Sequence, residues 1–249
     1  MTPYLKMRLS NRGKGEFRAD AGVVWLYDVI ASDEEDAMWF GGISPSQFIA
    51  ALADTTGPVT LRINSPGGSV FGAQAMVAAM RAHPQPITAQ VDSLAASAAS
   101  VIACEAAEMV MAPGSMLMIH KAWGLTVGNS DDHQAAAALL DKVDGQIAAT
   151  YASKSGGTVE DFSALMAAET WFTAEEALAA KLADRVIGEN TQRPTAKWDL
   201  SGFENAPEIA EIEQEPVKTE PEAVEEPQKP DMSALRQRQL AARLASPTI

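Results

Sequence analysis

Three short stretches carry residues suited to acyl transfer. The run VDSLAASAASVIA, residues 91–103, holds five alanines and three serines, with Ser97 at its centre. Ser97 would open a helix just after an apolar strand, and its neighbour Ala98 would present a free main-chain N–H there. Ser93 and Ser100 compete with it, and a lone serine among alanines is more often a cap or a close-packing residue. The alanines give a second hint, since small side chains leave room for a tetrahedral intermediate. Upstream, INSPGGSV (residues 63–70) follows a strand and precedes a helix. Gly67 and Gly68 have no Cβ, so their backbone can turn its N–H groups toward a ligand. Pro-Gly-Gly on its own marks only a turn. The amides of Gly68 and Ala98 together would form an oxyanion hole, in which one donor is worth about 10²- to 10³-fold in rate.

A serine needs a base to take its proton. The chain has three histidines, His83, His120 and His133. His83 precedes a proline at a helix end, and His133 sits in the first turn of a long helix. His120 ends the apolar strand SMLMIH, at the strand edge where catalytic groups gather. The base in turn needs an acceptor to orient it. Asp92, Asp131, Asp132, Glu160, Asp161, Glu169 and Glu175 are candidates, and spacing alone does not choose among them. Glu169 ends a helix just before a new cap, a place from which a side chain can turn back to the core.

The elements that position these groups alternate. AGVVWLYDVI, VTLRIN, ITAQVD, EMVMA and SMLMIH read as strands. Helices follow at SPSQFIAALAD, with Ser44, Pro45 and Gln47 as cap, first-turn proline and capping box, and at SVFGAQAMVAAMRAH and SAASVIACEAA. Such alternation implies an α/β fold with a mostly parallel sheet and packed helices. A longer helix spans about 130–155, roughly 37 Å, with Ser130 as its expected cap and Gly156 and Gly157 as its stop. TVEDFSALMAAE and TAEEALAAKLAD complete the helices, the second capped by Thr173 and Glu176.

The formal charge of −14 and pI near 4.6 argue against a nucleic-acid binder. No run of about 18 apolar residues suggests a membrane span, and no apolar signal core follows the basic start. The lone cysteine, Cys104, sits among small apolar residues as core material and fits a cytoplasmic location. Composition divides the chain into an N-terminal segment (1–19), a folded domain (20–190), an acidic Pro/Glu-rich disordered linker (191–230) and a short basic amphipathic helix (231–249). Between 204 and 230 the chain carries nine Glu and five Pro against two Lys, too polar to bury a core.

INSPGG, DSLAASAASVIA, MLMIH and ETWFTAEEALAAKLAD, in this order and spacing, resemble the Clp protease proteolytic subunit family over about residues 20–188. YDVI…GGIS, ETWFTAEEA and the acidic tail are most similar to the phage Clp-related head maturation proteases. The resemblance implies a ClpP/crotonase-like fold with a projecting handle helix at about 130–155. It implies Ser97 as nucleophile, His120 as base, Glu169 as the acid, and the N–H groups of Gly68 and Ala98 as oxyanion donors. The family usually has Asp where this chain has Glu169, and often Gln-Pro where it has Lys121 and Ala122. Also implied are protein or peptide substrates, a heptameric or double-heptameric ring, and no cofactor or metal. For a phage protease, scaffold and capsid proteins become partners through the tail, inside the host cytoplasm or the prohead. Four rivals stand beside this reading: a general Clp proteolytic subunit working with an ATP-dependent unfoldase, an acyl-CoA enzyme of crotonase type, a serine–lysine peptidase using Lys121 or Lys142, and a ring protein that does not cut.

Overall fold

The computed structural model describes residues 3–188 and 198–207. The expected C-terminal helix and most of the expected linker lie outside the described residues. In chain order the elements are α1 (Pro3–Asn11), β1 (Glu16–Asp20), β2 (Val23–Tyr27), α2 (Glu34–Phe40), α3 (Pro45–Ala53), β3 (Val59–Ser65) and α4 (Val70–Ala82). They continue with β4 (Ile87–Ala96), α5 (Ala98–Cys104), β5 (Glu108–Met111), β6 (Met116–Ile119), α6 (Ser130–Ser155), α7 (Val159–Ala167), β7 (Thr170–Thr173), α8 (Ala174–Ala179) and β8 (Arg185–Val186).

The sheet runs β1-β2-β3-β4-β5-β8, with β6 on β4 and β7 on β6. Among the described residues only the β1–β2 and β6–β7 pairs are antiparallel, so the expected mostly parallel α/β sheet is present. One feature of β4 organises the site. Its first half, Thr88–Val91, pairs with β5, and its last residues, Leu94–Ala96, pair with β6. The sheet therefore forks, and the C-terminal ends of β4 and β6 finish side by side.

Local signals account for most elements. Ser44 and Gln47 close a reciprocal capping box on α3, as do Thr173 and Glu176 on α8. The long helix α6 has 26 residues and ends on left-handed Gly156. Its cap is Asn129 rather than Ser130: the Asn129 side chain accepts the amides of Asp131 and Asp132, and Ser130 is already helical. The second half of α6 buries Val143, Ile147, Ala148, Tyr151 and Ala152, whereas Asp131–Lys142 stand largely exposed. Such a contrast between the two halves is what a handle helix requires.

Residues 198–207 fall inside the stretch expected to be linker, yet they are packed. Leu200 and Phe203 join Met7, Leu94, Ala96 and Met118 in a second apolar cluster. The reason is local composition: WDLSGF supplies apolar groups that the acidic residues after it lack. Among the described residues no helix is long and apolar enough to cross a membrane.

Asp28 is a buried carboxyl, 8% exposed, beneath the close backbone approach of Gly15. Burial pushes it up to about 6, against the Val29 amide and the Arg8 charge, which pull it down. A raised carboxyl pKa means that the folded chain holds the proton more tightly. Stability therefore falls as pH climbs from the ordinary aspartate value toward about 6, and stays lower above it. Asp28→Asn keeps an acceptor for the Val29 N–H (2.7 Å) and removes the buried charge. It is expected to gain about 1–2 kcal/mol at pH 7.5 and nothing at pH 3.5, read by thermal unfolding at both.

Candidate active site

Ser97 sits where β4 turns sharply into α5, with φ 55° and ψ −126°. That region favours glycine, and holding another residue there costs about 1–3 kcal/mol. The turn is over-determined by its surroundings. The Ser97 N–H donates to the Met118 carbonyl at 2.9 Å, continuing the β4–β6 ladder by one residue. The Ser97 carbonyl accepts the Ser100 N–H at 2.9 Å and the Ser100 hydroxyl at 2.6 Å. Ser100 in turn shares a 2.7 Å bond with the buried Tyr151 hydroxyl on α6. Ser100 thus braces the turn and is fully buried, and Ser93 lies within β4 before the fork ends.

Since Ala96 pairs with Met118, the residues just past the ends of β4 and β6 are neighbours. His120 Nε2 lies 2.7 Å from Ser97 Oγ. Burial lowers the His120 pKa, and the Glu169 charge opposes that shift. A neutral imidazole that accepts at Nε2 carries its proton on Nδ1.

Glu169 reaches the site through a strand that the sequence reading merged into the joint between two helices. In the antiparallel β6–β7 ladder Ile119 opposes Thr170, so the next step along it sets His120 opposite Glu169. The structure places the carboxylate beside His120 without a hydrogen bond to it. Its oxygens accept instead from Trp171 Nε1 (3.2 Å), the Asn205 N–H (2.7 Å) and the Glu204 N–H (2.9 Å). Glu169 itself holds a φ of 46°, directly after α7.

The other acids are engaged elsewhere. Asp92 is buried, accepting two 2.8 Å bonds from Arg62, with Tyr27 and Gln90 also donating to it. Asp131, Asp132, Glu160, Asp161 and Glu175 lie in the first turns of α6, α7 and α8. His83 caps α4 and pairs with Thr55, and His133 is exposed. Lys121 and Lys142 are exposed as well. The Cys104 thiol is buried, which pushes it up to about 12. Among the described residues no group of three His, Cys, Asp or Glu side chains could hold a metal.

The glycine loop lies against the Ser97–Ala98 peptide. A Cβ on Gly67 would stand 2.5 Å from the Ala96 oxygen and 3.0 Å from the Ala98 nitrogen. Ile30 pins the loop from behind: its N–H donates to the Gly67 carbonyl, and its carbonyl accepts the Ser69 N–H, both at 2.8 Å. The amides of Gly68 and Ala98 donate to no group among the described residues. The alanines flanking Ser97 do something other than leave room for substrate. Ala95, Ala96, Ala98 and Ala99 are all at most 2% exposed, and their smallness lets this loop and β6 close in on β4.

Sequence reasoning missed Phe203, whose ring meets the His120 imidazole edge-on at 5.4 Å. The aromatic residues of WDLSGF are the signal that could have found it. In front of the dyad a groove of about 660 Å³ is lined by Gly68, Phe71, Ser97, His120, Trp123 and Leu125, among others.

The Clp protease family model matches residues 43–190. An ATP-dependent Clp protease proteolytic subunit of Leuconostoc citreum is 29% identical over 173 residues, covering 68% of this chain and 86% of the relative. One from Streptococcus gordonii is 33% identical, covering 63% and 81%. Proteolytic subunit 3 of Rhodococcus jostii is 29% identical, covering 64% and 79%. A match of the family model across more than half its length shows that the chain belongs to the Clp protease family of serine endopeptidases.

Proposed function

We propose that Ser97 and His120 carry out peptide hydrolysis by acyl transfer to water. The observation that carries this reading is the 2.7 Å contact between Ser97 Oγ and His120 Nε2. Ser97 Oγ attacks the scissile carbonyl while Nε2 takes its proton. The oxyanion forms between the amides of Gly68 and Ala98. The imidazolium then protonates the leaving amine, and water resolves the acyl-enzyme with His120 again as base. Glu169 acts through its charge, which favours the imidazolium across the ladder. An extended substrate fits as an added strand along the groove. In keeping with the family resemblance, the chain works as a heptameric or double-heptameric ring.

The likeness to head maturation proteases, with the acidic tail, points to scaffold and capsid proteins as substrates. The tail, 208–249, would tether the protease to them. A fluorophosphonate probe tests the chemistry: it labels Ser97, fails with Ser97→Ala and slows with His120→Ala. A ring that assembles yet never labels would instead be a protein that does not cut. Short peptide and folded scaffold, both given without ATP, test the substrate. Cleavage of both supports maturation. Cleavage of the peptide alone favours the role in the relatives' names, an ATP-dependent proteolytic subunit.

A further inference from the structure

The segment 198–207 lies beyond the residues that the family model matches, and it touches the site at three levels. At its start it is tied to the body by polar contacts. Trp198 Nε1 donates to Asn64 at 2.9 Å, and Asp199 exchanges two backbone bonds with the Asn11 side chain, at 2.7 and 2.9 Å. In its middle, Leu200 and Phe203 share one buried apolar cluster with Ala96 and Met118. These two residues belong to the strands that carry the nucleophile and the base, and the Met118 carbonyl is the group that holds the Ser97 N–H. At its end, the amides of Glu204 and Asn205 hold the Glu169 carboxylate, while Asn205 Nδ2 donates to the Ala168 carbonyl at 3.1 Å.

Phe203 is the pivot of this arrangement. Its ring stands at 89° to the imidazole, 5.4 Å away, and Trp171 backs it at 5.9 Å. Trp171 also donates to Glu169, so a single aromatic stack joins the base to the acid. The geometry points to 198–207 as an integral strap of the active site, with Phe203 as a positioning residue for His120. This inference rests on the reading of His120 as the base.

An imidazole at a strand end can rotate about its side-chain torsions, and the Nε2–Oγ contact survives only over a narrow range of them. A ring packed edge-on removes those alternatives and keeps water off one flank. Phe203 is not among the residues that line the groove in front of Ser97 and His120. Losing it therefore disturbs proton transfer and leaves substrate binding alone. The charged groups around the imidazole are Glu169 from the α7–β7 turn, Glu204 from the strap, Lys121 next in the chain, and the Arg8–Asp36 pair across the groove. Phe203→Ala changes none of these, so a shift in the His120 titration reports the lost ring.

The test uses the full chain carrying Phe203→Ala, Phe203→Leu or Phe203→Tyr. Peptide hydrolysis gives kcat and KM, and ring-nitrogen NMR gives the His120 titration. Phe203→Ala is expected to lower kcat by about tenfold, with KM within about twofold. Its His120 midpoint moves up toward that of a solvated imidazole, because water reaches the charged form. Phe203→Tyr restores most of the rate and the original midpoint. Phe203→Leu keeps the apolar contact without the ring edge, and it shows the same changes at smaller size should the alanine variant misfold. An unchanged His120 midpoint in both the alanine and leucine variants overturns the inference, as does a loss carried by KM. The titration is read without turnover, so it decides the strap's role even if the parent chain proves unable to cut peptides.

Discussion

Ser97→Ala is expected to lower peptide hydrolysis by about 10⁴- to 10⁶-fold, with KM little changed. In the proposed mechanism nucleophile and base act as one unit, so removing the hydroxyl also leaves His120 without a task, and only the amides and the groove remain. A second comparison separates chemistry from fold. Ser97→Gly is equally inactive, since it too lacks the hydroxyl. It is nonetheless expected to be more stable than Ser97→Ala by about 1 kcal/mol. Both variants lose the contact to His120, so that loss cancels between them. What differs is the backbone at φ 55° and ψ −126°, which strains alanine and suits glycine. Strain of about 1–3 kcal/mol outweighs the extra chain entropy of glycine, about 0.5–1 kcal/mol. Steady-state kinetics and thermal unfolding of the pair provide the check. Hydrolysis retained above about a hundredth of the parent rate would remove Ser97 from the mechanism.

Ser97 and His120 were legible as candidates because each lies just past the end of a strand, and their strands pair side by side. SMLMIH is an apolar run, ITAQVD alternates apolar and polar residues and its strand runs on to Ala96, and a parallel sheet brings the C-terminal ends of the two strands to one edge. Capping boxes and the glycine stop of α6 were legible as well, being signals within a few residues. What could not be read depends on distant pairing. The strand β7 has four residues and exists because it lies against β6 across about fifty positions of chain. β1 and β8 are likewise short strands at the sheet's two ends. The candidate acid shows the limit most clearly. Its place opposite His120 comes from the β6–β7 register, and its hydrogen-bond partners come from amides 35 and 36 residues further on. No periodicity in the sequence announces such partners. A charge-rich context also hid the strap, because the acidic residues after 207 dominate any window that contains WDLSGF.

Gly68→Ala is expected to lower kcat by about 10²- to 10³-fold and to destabilise the fold as well, two effects with one origin. A Cβ at residue 68 would stand 2.1 Å from the Ile30 carbonyl oxygen and 2.8 Å from the Ile30 nitrogen. The backbone there has φ 147°, which side chains rarely adopt. Ile30 is fully buried main chain and cannot yield, so the loop must lift. Lifting breaks the Ile30–Gly67 and Ser69–Ile30 hydrogen bonds, each worth about 1 kcal/mol net. It also carries the Gly68 amide out of line with that of Ala98. The oxyanion exists only during reaction, so the loss falls on kcat while KM holds. Gly57→Ala is the control, since nothing lies within 4 Å of a Cβ there and its φ is unremarkable. It is expected to leave kcat and the unfolding temperature as they were. If Gly68→Ala unfolds at a lower temperature yet keeps kcat within about threefold, the glycine loop serves packing and the second oxyanion donor must be sought elsewhere.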